Sequence, residues 1–511
     1  MSTLRCFVVL ILLFYCGRFS ASAQKKMDIN RLFYSNLDQA LQNKSKVQRL
    51  NLSSQKLKKI PQNIVLLKNL EELNLGNNQL TVFPKVLFQL KKLKILRLYN
   101  NNIKHLPQGI DSLKSLEVLD IQRNSLVDLP GKIVRLRNLT QLNIANNKVK
   151  ELPENIGKLK KMRVFEAYGN QLKQLPASFS SLRKLESLGL GKNQLESVSL
   201  GKYKNLQSLD ISRNRLTKIP DNLGSLKKLT SLFLQQNNLT KLPEKIGALS
   251  QLRRLYLNEN KIKQLPKELT SLVQLQVVKL EHNQLLELPN DIGKLSQLKV
   301  LSLHHNLLRA LPESIGNLTL LPTLQLSNNR LELLPSSLGN MASLKSIWVR
   351  KNNLQTLPKS ISQLKKIERI YASQNQISLL PVELAELTQL KSLAISGNLL
   401  TEIPSELWGL EELYYLDASR NQITSLPNKI SDLRSLRILV LSHNRLRTLP
   451  FGITRLKNLR ELYLDNNQLA KLPPNMGALL NLKIFTMKRN GFTNEQKAHI
   501  RKQLSHVRIG F

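Results

Sequence analysis

An asparagine recurs every 23 residues through most of this 511-residue chain, and no other feature limits its fold so severely. The unit is legible in "LEELNLGNNQLTVFP" (Leu70 to Pro84) and returns in "LKILRLYNNNIKHLP" (Leu93 to Pro107), "LEVLDIQRNSLVDLP" (Leu116 to Pro130) and "LTQLNIANNKVKELP" (Leu139 to Pro153). The asparagines are Asn78, Asn101, Asn124, Asn147, Asn170 and Asn193, then, after one step of 21 residues, Asn214, Asn237, Asn260, Asn283, Asn306, Asn329, Asn352, Asn375, Asn398, Asn421, Asn444, Asn467 and Asn490. Gln55 holds the equivalent place in the first turn. Leucines at 70, 73, 75 and 80 fit neither the 3.6-residue period of a helix nor the strict alternation of a long strand. Twenty such units, from about Lys46 to Asn490, predict one solenoid rather than several globular domains.

The pattern has a physical reading. Leu73 and Leu75 point one way from a strand of about three residues while Asn74 and Gly76 face out, and a strand that short is stable only against neighbours stacked roughly 4.8 Å away. Where the chain leaves the strand, buried backbone groups would lack partners, at roughly 1–3 kcal/mol each. An inward asparagine supplies two donors and an acceptor, so it can bridge its own turn and the next. Eighteen of the twenty prolines follow the last apolar residue of a unit, where a fixed φ and a missing N–H suit a return segment outside the ladder. The asparagine row is therefore expected to be structural.

The consensus LxxLxLxxNxL, kept across nearly nine-tenths of the length, resembles the leucine-rich repeat family, and the added half "LPENIGKLKKM" (Leu152 to Met162) is similar to its 23-residue LPxxIxxL subclass. That subclass includes secreted bacterial proteins, Ras-pathway scaffolds and plant Ras-group-related proteins. The resemblance implies an α/β solenoid: a horseshoe of about twenty repeats with a parallel sheet on its concave face and short helical or extended convex segments. It implies no function by itself.

The domain reading is a signal peptide over 1–23, an N-terminal helical cap over 24–45, the solenoid over 46–490 and a C-terminal cap over 491–511. Arg5, the apolar run "CFVVLILLFYC" (Cys6 to Cys16) and "ASA" (Ala21 to Ala23) have the layout of a cleavable secretory signal. Eleven apolar residues are too few to span a bilayer, which needs about twenty. Both cysteines lie in this segment, so a mature chain would carry none. "NRLFYSNLDQALQ" (Asn30 to Gln42) carries a helical apolar stripe, and "TNEQKAHIRKQL" (Thr493 to Leu504) opens with Thr493 and Gln496 at capping-box spacing before a final strand in "VRIGF". The repeat at 194–214 is short and its "SVSLGKYKNL" (Ser197 to Leu206) lacks the proline, which points to a local kink or a hinge.

Caps and repeats leave no room for a catalytic domain. There is no GxxxxGK[ST] for a nucleotide-binding partner domain, and a chain without mature cysteine excludes the thiol-dependent ubiquitin ligation of some secreted relatives. The expectation is a non-enzyme with no cofactor. His282, His304 and His305 are the one group with metal-ligand chemistry, but they lack a complete ligand set and are read as a solvated surface.

Lysine and arginine exceed aspartate and glutamate by 42. The four outward strand columns, equivalent to residues 72, 74, 76 and 77, hold 13 basic and 9 acidic residues. Most of the surplus therefore lies elsewhere, in pairs such as Lys91-Lys92, Lys160-Lys161, Lys227-Lys228 and Lys365-Lys366, which argues against a nucleic-acid groove and leaves weak attraction to an anionic lipid or glycan surface. The same columns carry aromatics: Phe233 beside Tyr256, Trp348 beside Tyr371 with Arg350 and Arg369, then Tyr415 and Tyr463. Tryptophan, tyrosine and arginine dominate protein-binding energy. The chain therefore reads as an exported module, secreted or periplasmic, that binds a protein on its concave face. A cytoplasmic signalling scaffold and a surface adhesin are the alternatives, and the partner patch is Trp348, Arg350, Arg369 and Tyr371, with Phe233 and Tyr256 second.

Overall fold

A computed structural model describes residues 33–511, so the expected signal segment lies outside the described residues. Within them the chain winds as a solenoid of 22 short strands, almost all of three residues, joined in one parallel, unclosed sheet. Each strand pairs with the next in the same register: Leu73 lies opposite Leu96, and Ile347 opposite Ile370. Between the two terminal strands the middle residue of each strand is buried, as is the apolar residue two places on, so one apolar column continues into the next from Val47 to Leu504. The convex side is built from 3-10 turns such as Glu313–Asn317, most of them entered from a proline with φ near −70°, as at Pro312. Among the described residues α-helix occurs only over Leu37–Gln42 and Asn494–Gln503.

The asparagine row forms a continuous ladder. Asn283 donates from Nδ2 to the carbonyls of Leu280 and Leu257, each at 3.0 Å, while its Oδ1 accepts from the Ile262 amide at 3.0 Å. Each side chain thus ties its own turn to the preceding one rather than to the next, because the amide of the earlier turn faces its oxygen. Ahead of every asparagine from Asn78 onward stands a residue with positive φ, including Asn77, Glu259, His282, His305 and Lys351. At Gly169 and Gly397 glycine fills this left-handed position. Gln55 does not close a turn of its own: its Nε2 donates to the Ser35 carbonyl at 2.8 Å, stitching the first repeat to the cap.

The N-terminal cap differs from its expected form. Phe33–Tyr34 is extended and adds a strand to the sheet edge against Arg49 and Leu50. The Asn36 side chain accepts from the amides of Asp38 and Gln39, which fixes the helix start at Leu37 and leaves Phe33 to Asn36 out of it, while Asn30 to Leu32 lie outside the described residues. The C-terminal end follows its sequence signal: Thr493 and Gln496 form a reciprocal capping box and Arg508–Gly510 pairs with Ile484–Thr486.

The short repeat leaves the sheet undisturbed. Ser187, Leu188 and Gly189 stay opposite Ser208, Leu209 and Asp210, and Asn214 still reaches the Leu190 carbonyl at 3.0 Å. The missing residues come from the convex side, where no 3-10 turn forms between Gly189 and Ser208 and the buried ring of Tyr203 fills the space.

Candidate functional site

Strand alternation presents the first and third residues of each strand outward, so equivalent residues of consecutive repeats stand one strand apart. Trp348 and Tyr371 are direct register partners, their ring centroids 4.5 Å apart and their planes tilted by 51°. Trp348 is 44% exposed, the only tryptophan so placed; the other, Trp408, is buried on the convex side. Its neighbours Ser346 and Ser373 are small and buried, so the indole stands above a low floor.

The two arginines do not lie over these rings. Arg350 donates from Nε to the Gln374 side chain at 3.1 Å, and Arg369 pairs with Glu368 at 3.3 Å, a carboxylate that also meets Lys391 at 3.8 Å. Among the described residues, cations face rings at Tyr256, Phe451 and Phe511. At the second patch, Phe233 and Tyr256 stack at 4.8 Å and 19°, Lys279 lies 5.7 Å from the Tyr256 ring, and Arg254 donates to the Ser231 hydroxyl. Burial pushes the Tyr256 hydroxyl up, and Glu281 beyond it as well. Of the remaining rings, Tyr463 donates its hydroxyl to Glu461 at 2.7 Å, and burial, with Asp417, Tyr371 and Tyr463 nearby, raises Tyr415 to about 12.

His282 and His305 stack face to face at 4.2 Å and 12°, so the lone pairs of their ring nitrogens lie in near-parallel planes. His304 meets both edge-on, at 5.7 and 5.6 Å. Burial first, then His282, His305 and Lys279, push His304 down to about 4, so it is neutral at neutral pH. Among the described residues no group of three or more histidine, cysteine, aspartate or glutamate side chains is arranged to hold a metal ion.

One feature of this face escaped sequence reasoning. Glu166 lies directly over Gly189, whose missing side chain makes room for the carboxylate, and Asp210 follows in the same column. Ser187 donates to Glu166 at 3.0 Å, Ser212 donates to Asp210 at 2.6 Å, and Arg213 reaches across two repeats to the Tyr168 hydroxyl at 3.1 Å. Burial, reinforced by Asp210, raises Glu166 to about 7. A glycine between two carboxylates in one column was the available signal.

A leucine-rich repeat region model matches residues 139–241, 243–325, 289–403 and 402–508, and a second leucine-rich repeat model matches 45–103, 68–126 and 91–149. The chain belongs to the leucine-rich repeat family. It is similar to a leucine-rich repeat protein of Leptospira interrogans, at 33% identity over 94% of this chain and 100% of that one, with a TM-score of 0.51. It is also similar to the Arabidopsis receptor kinase HAESA, solved with the peptide hormone IDA and a co-receptor, at 28% identity over 83% of this chain and 79% of that one, TM-score 0.61. A third is the plant peptide hormone receptor RGFR1 in complex with RGF2, at 25% identity over 95% and 96% of the two chains, TM-score 0.50. No curated protein sequence matches the chain. No helix among the described residues is long and apolar enough to cross a membrane.

Proposed function

We propose that this leucine-rich repeat horseshoe is an exported, non-catalytic recognition module that binds a protein or peptide on its concave face, with Trp348 and Tyr371 as the anchor. The observation that carries the reading is the half-exposed indole held against a tyrosine above a floor of buried serines, since a rigid aromatic pair offers large contact area at low ordering cost. Receptors of the same fold that bind peptide hormones support the class of partner. Export rests on the signal-like Met1 to Ala23 segment, with maturation near Gln24. The paired lysines at the turns that feed the strands are exposed, and supply a diffuse attraction to anionic surfaces rather than a second site.

The test is photo-crosslinking. A photoreactive phenylalanine analogue at Tyr371 is expected to capture a discrete partner from the protein's own extracellular milieu. The same analogue at exposed Leu333, off the sheet, should capture none. Equal capture at both positions contradicts the assignment.

A further inference from the structure

Charge is distributed unevenly along the concave face. The nine acidic residues of its four outward columns fall at 72, 120, 166, 210, 259, 281, 417, 461 and 465, leaving none between Glu281 and Asp417. That gap spans the five strands from Val300–Ser302 to Ser392–Ala394, and the Trp348–Tyr371 pair lies in it. Three permanent cations occupy the same stretch: Arg350, Lys351 and Arg369. Their internal neutralisation is incomplete. Glu368, just outside the columns, is shared by Arg369 and Lys391, and Arg350 bonds only the neutral amide of Gln374. The second aromatic pair differs, because Phe233 and Tyr256 are bracketed by Asp210, Glu259 and Glu281. Buried Ser346, Ser373 and Ser392 keep the surroundings of the rings low and flat.

We propose that the segment from Val300 to Ala394 selects an extended peptide rich in aspartate and glutamate, its carboxylates meeting Arg350, Lys351 and Arg369 and an apolar side chain resting on Trp348 and Tyr371. This rests on the reading of the patch as a peptide anchor and adds the chemistry of the partner. Five strands spaced by about 4.8 Å give a floor roughly 20 Å long, enough for about six extended residues. A guanidinium pairs a carboxylate in a two-pronged geometry that an ammonium cannot match, and two of the three cations are arginine. Neutral or basic peptides would leave Arg350 and Lys351 facing no opposite charge and Arg369 with only the shared Glu368, which supplies the discrimination.

A random linear peptide library displayed on phage tests this, selected in parallel on the wild-type chain and on an Arg350→Gln, Lys351→Gln, Arg369→Gln variant. The whole chain carries +42, and the variant would still carry +39, so non-specific attraction of acidic peptides is nearly the same for both. The expected result is enrichment of sequences with several acidic residues on the wild type, and a synthetic copy binding the variant at least tenfold more weakly. Acidic peptides that bind both proteins equally, or no enrichment at all, would overturn the proposal. Enriched neutral peptides that lose binding in Trp348→Ala would overturn the acidic preference and leave the anchor standing. Enriched peptides indifferent to Trp348→Ala and to the charge variant would remove the anchor as well.

Discussion

Asn283 gives its side-chain amide to the carbonyl of Leu257, 26 residues earlier, at 3.0 Å, and the same bond recurs from repeat to repeat along the solenoid. The Leu257 carbonyl also accepts from Asn260 at 2.9 Å, but the Ile262 amide of the earlier turn donates to the Asn283 Oδ1 and, among the described residues, to no other acceptor. Asn283→Ala or Asn306→Ala should therefore lower stability by roughly 1–3 kcal/mol each. Thermal unfolding of the two variants checks it, and unchanged midpoints for both would sink the ladder's structural role.

Glu166 gives the concave face a pH dependence of a definite sign. Its carboxyl titrates near 7 in the fold against an ordinary 4.5, so the folded state holds the proton more tightly. The stability this contributes is complete below about pH 4.5 and is lost as pH rises through 7. Glu166→Gln keeps a neutral, hydrogen-bonding group over Gly189. It should match the wild type at pH 4 and exceed it by about 2–3 kcal/mol at pH 8. Denaturant titrations at the two pH values read this directly, and a gain that is the same at both would contradict the buried carboxyl.

His304 acts in the opposite sense. With its imidazole held down to about 4 against an ordinary 6.5, its contribution is complete above pH 6.5 and is lost as pH falls through 4. His304→Gln should flatten the acid side of the stability curve, by on the order of 1 kcal/mol once solvent screening is allowed for. Melting curves between pH 4 and 7 decide it. An acid limb as steep as that of the wild type would show that other groups set it.

The repeat, its register and the direction of its leucines were legible in the sequence because a solenoid forces each unit to solve one packing problem identically. The capping box at Thr493 and Gln496 was legible for a different reason, being a purely local signal. The strand at Phe33–Tyr34 was not: its apolar spacing suits a helix, and only the free sheet edge beside Arg49 and Leu50 makes the extended form better. The aromatic partners at Trp348 and Tyr371 follow from the period. The pairing of Arg369 with Glu368 does not, because it depends on which rotamer an exposed side chain adopts. The Glu166 site was hidden for another reason, since its character comes from what Gly189 lacks.

If Met1 to Ala23 is a secretory signal, exported protein should begin near Gln24. N-terminal sequencing of material from outside the cytoplasm checks this, and an intact Met1 on cytoplasmic protein would move the account to an intracellular scaffold.

The claim that Trp348 is the partner anchor is tested most directly by comparing binding and stability in a single variant. Partner captured by crosslinking at Tyr371, or failing that the peptide selected on the wild type, is titrated against wild type and Trp348→Ala, with the thermal midpoint of each protein measured alongside. The account predicts affinity reduced by roughly 2 kcal/mol or more and a midpoint little changed, since the indole stands outside the leucine core. A variant that melts early yet binds as tightly as the wild type would show the ring to be a cover for its neighbours, and the anchor assignment would be wrong.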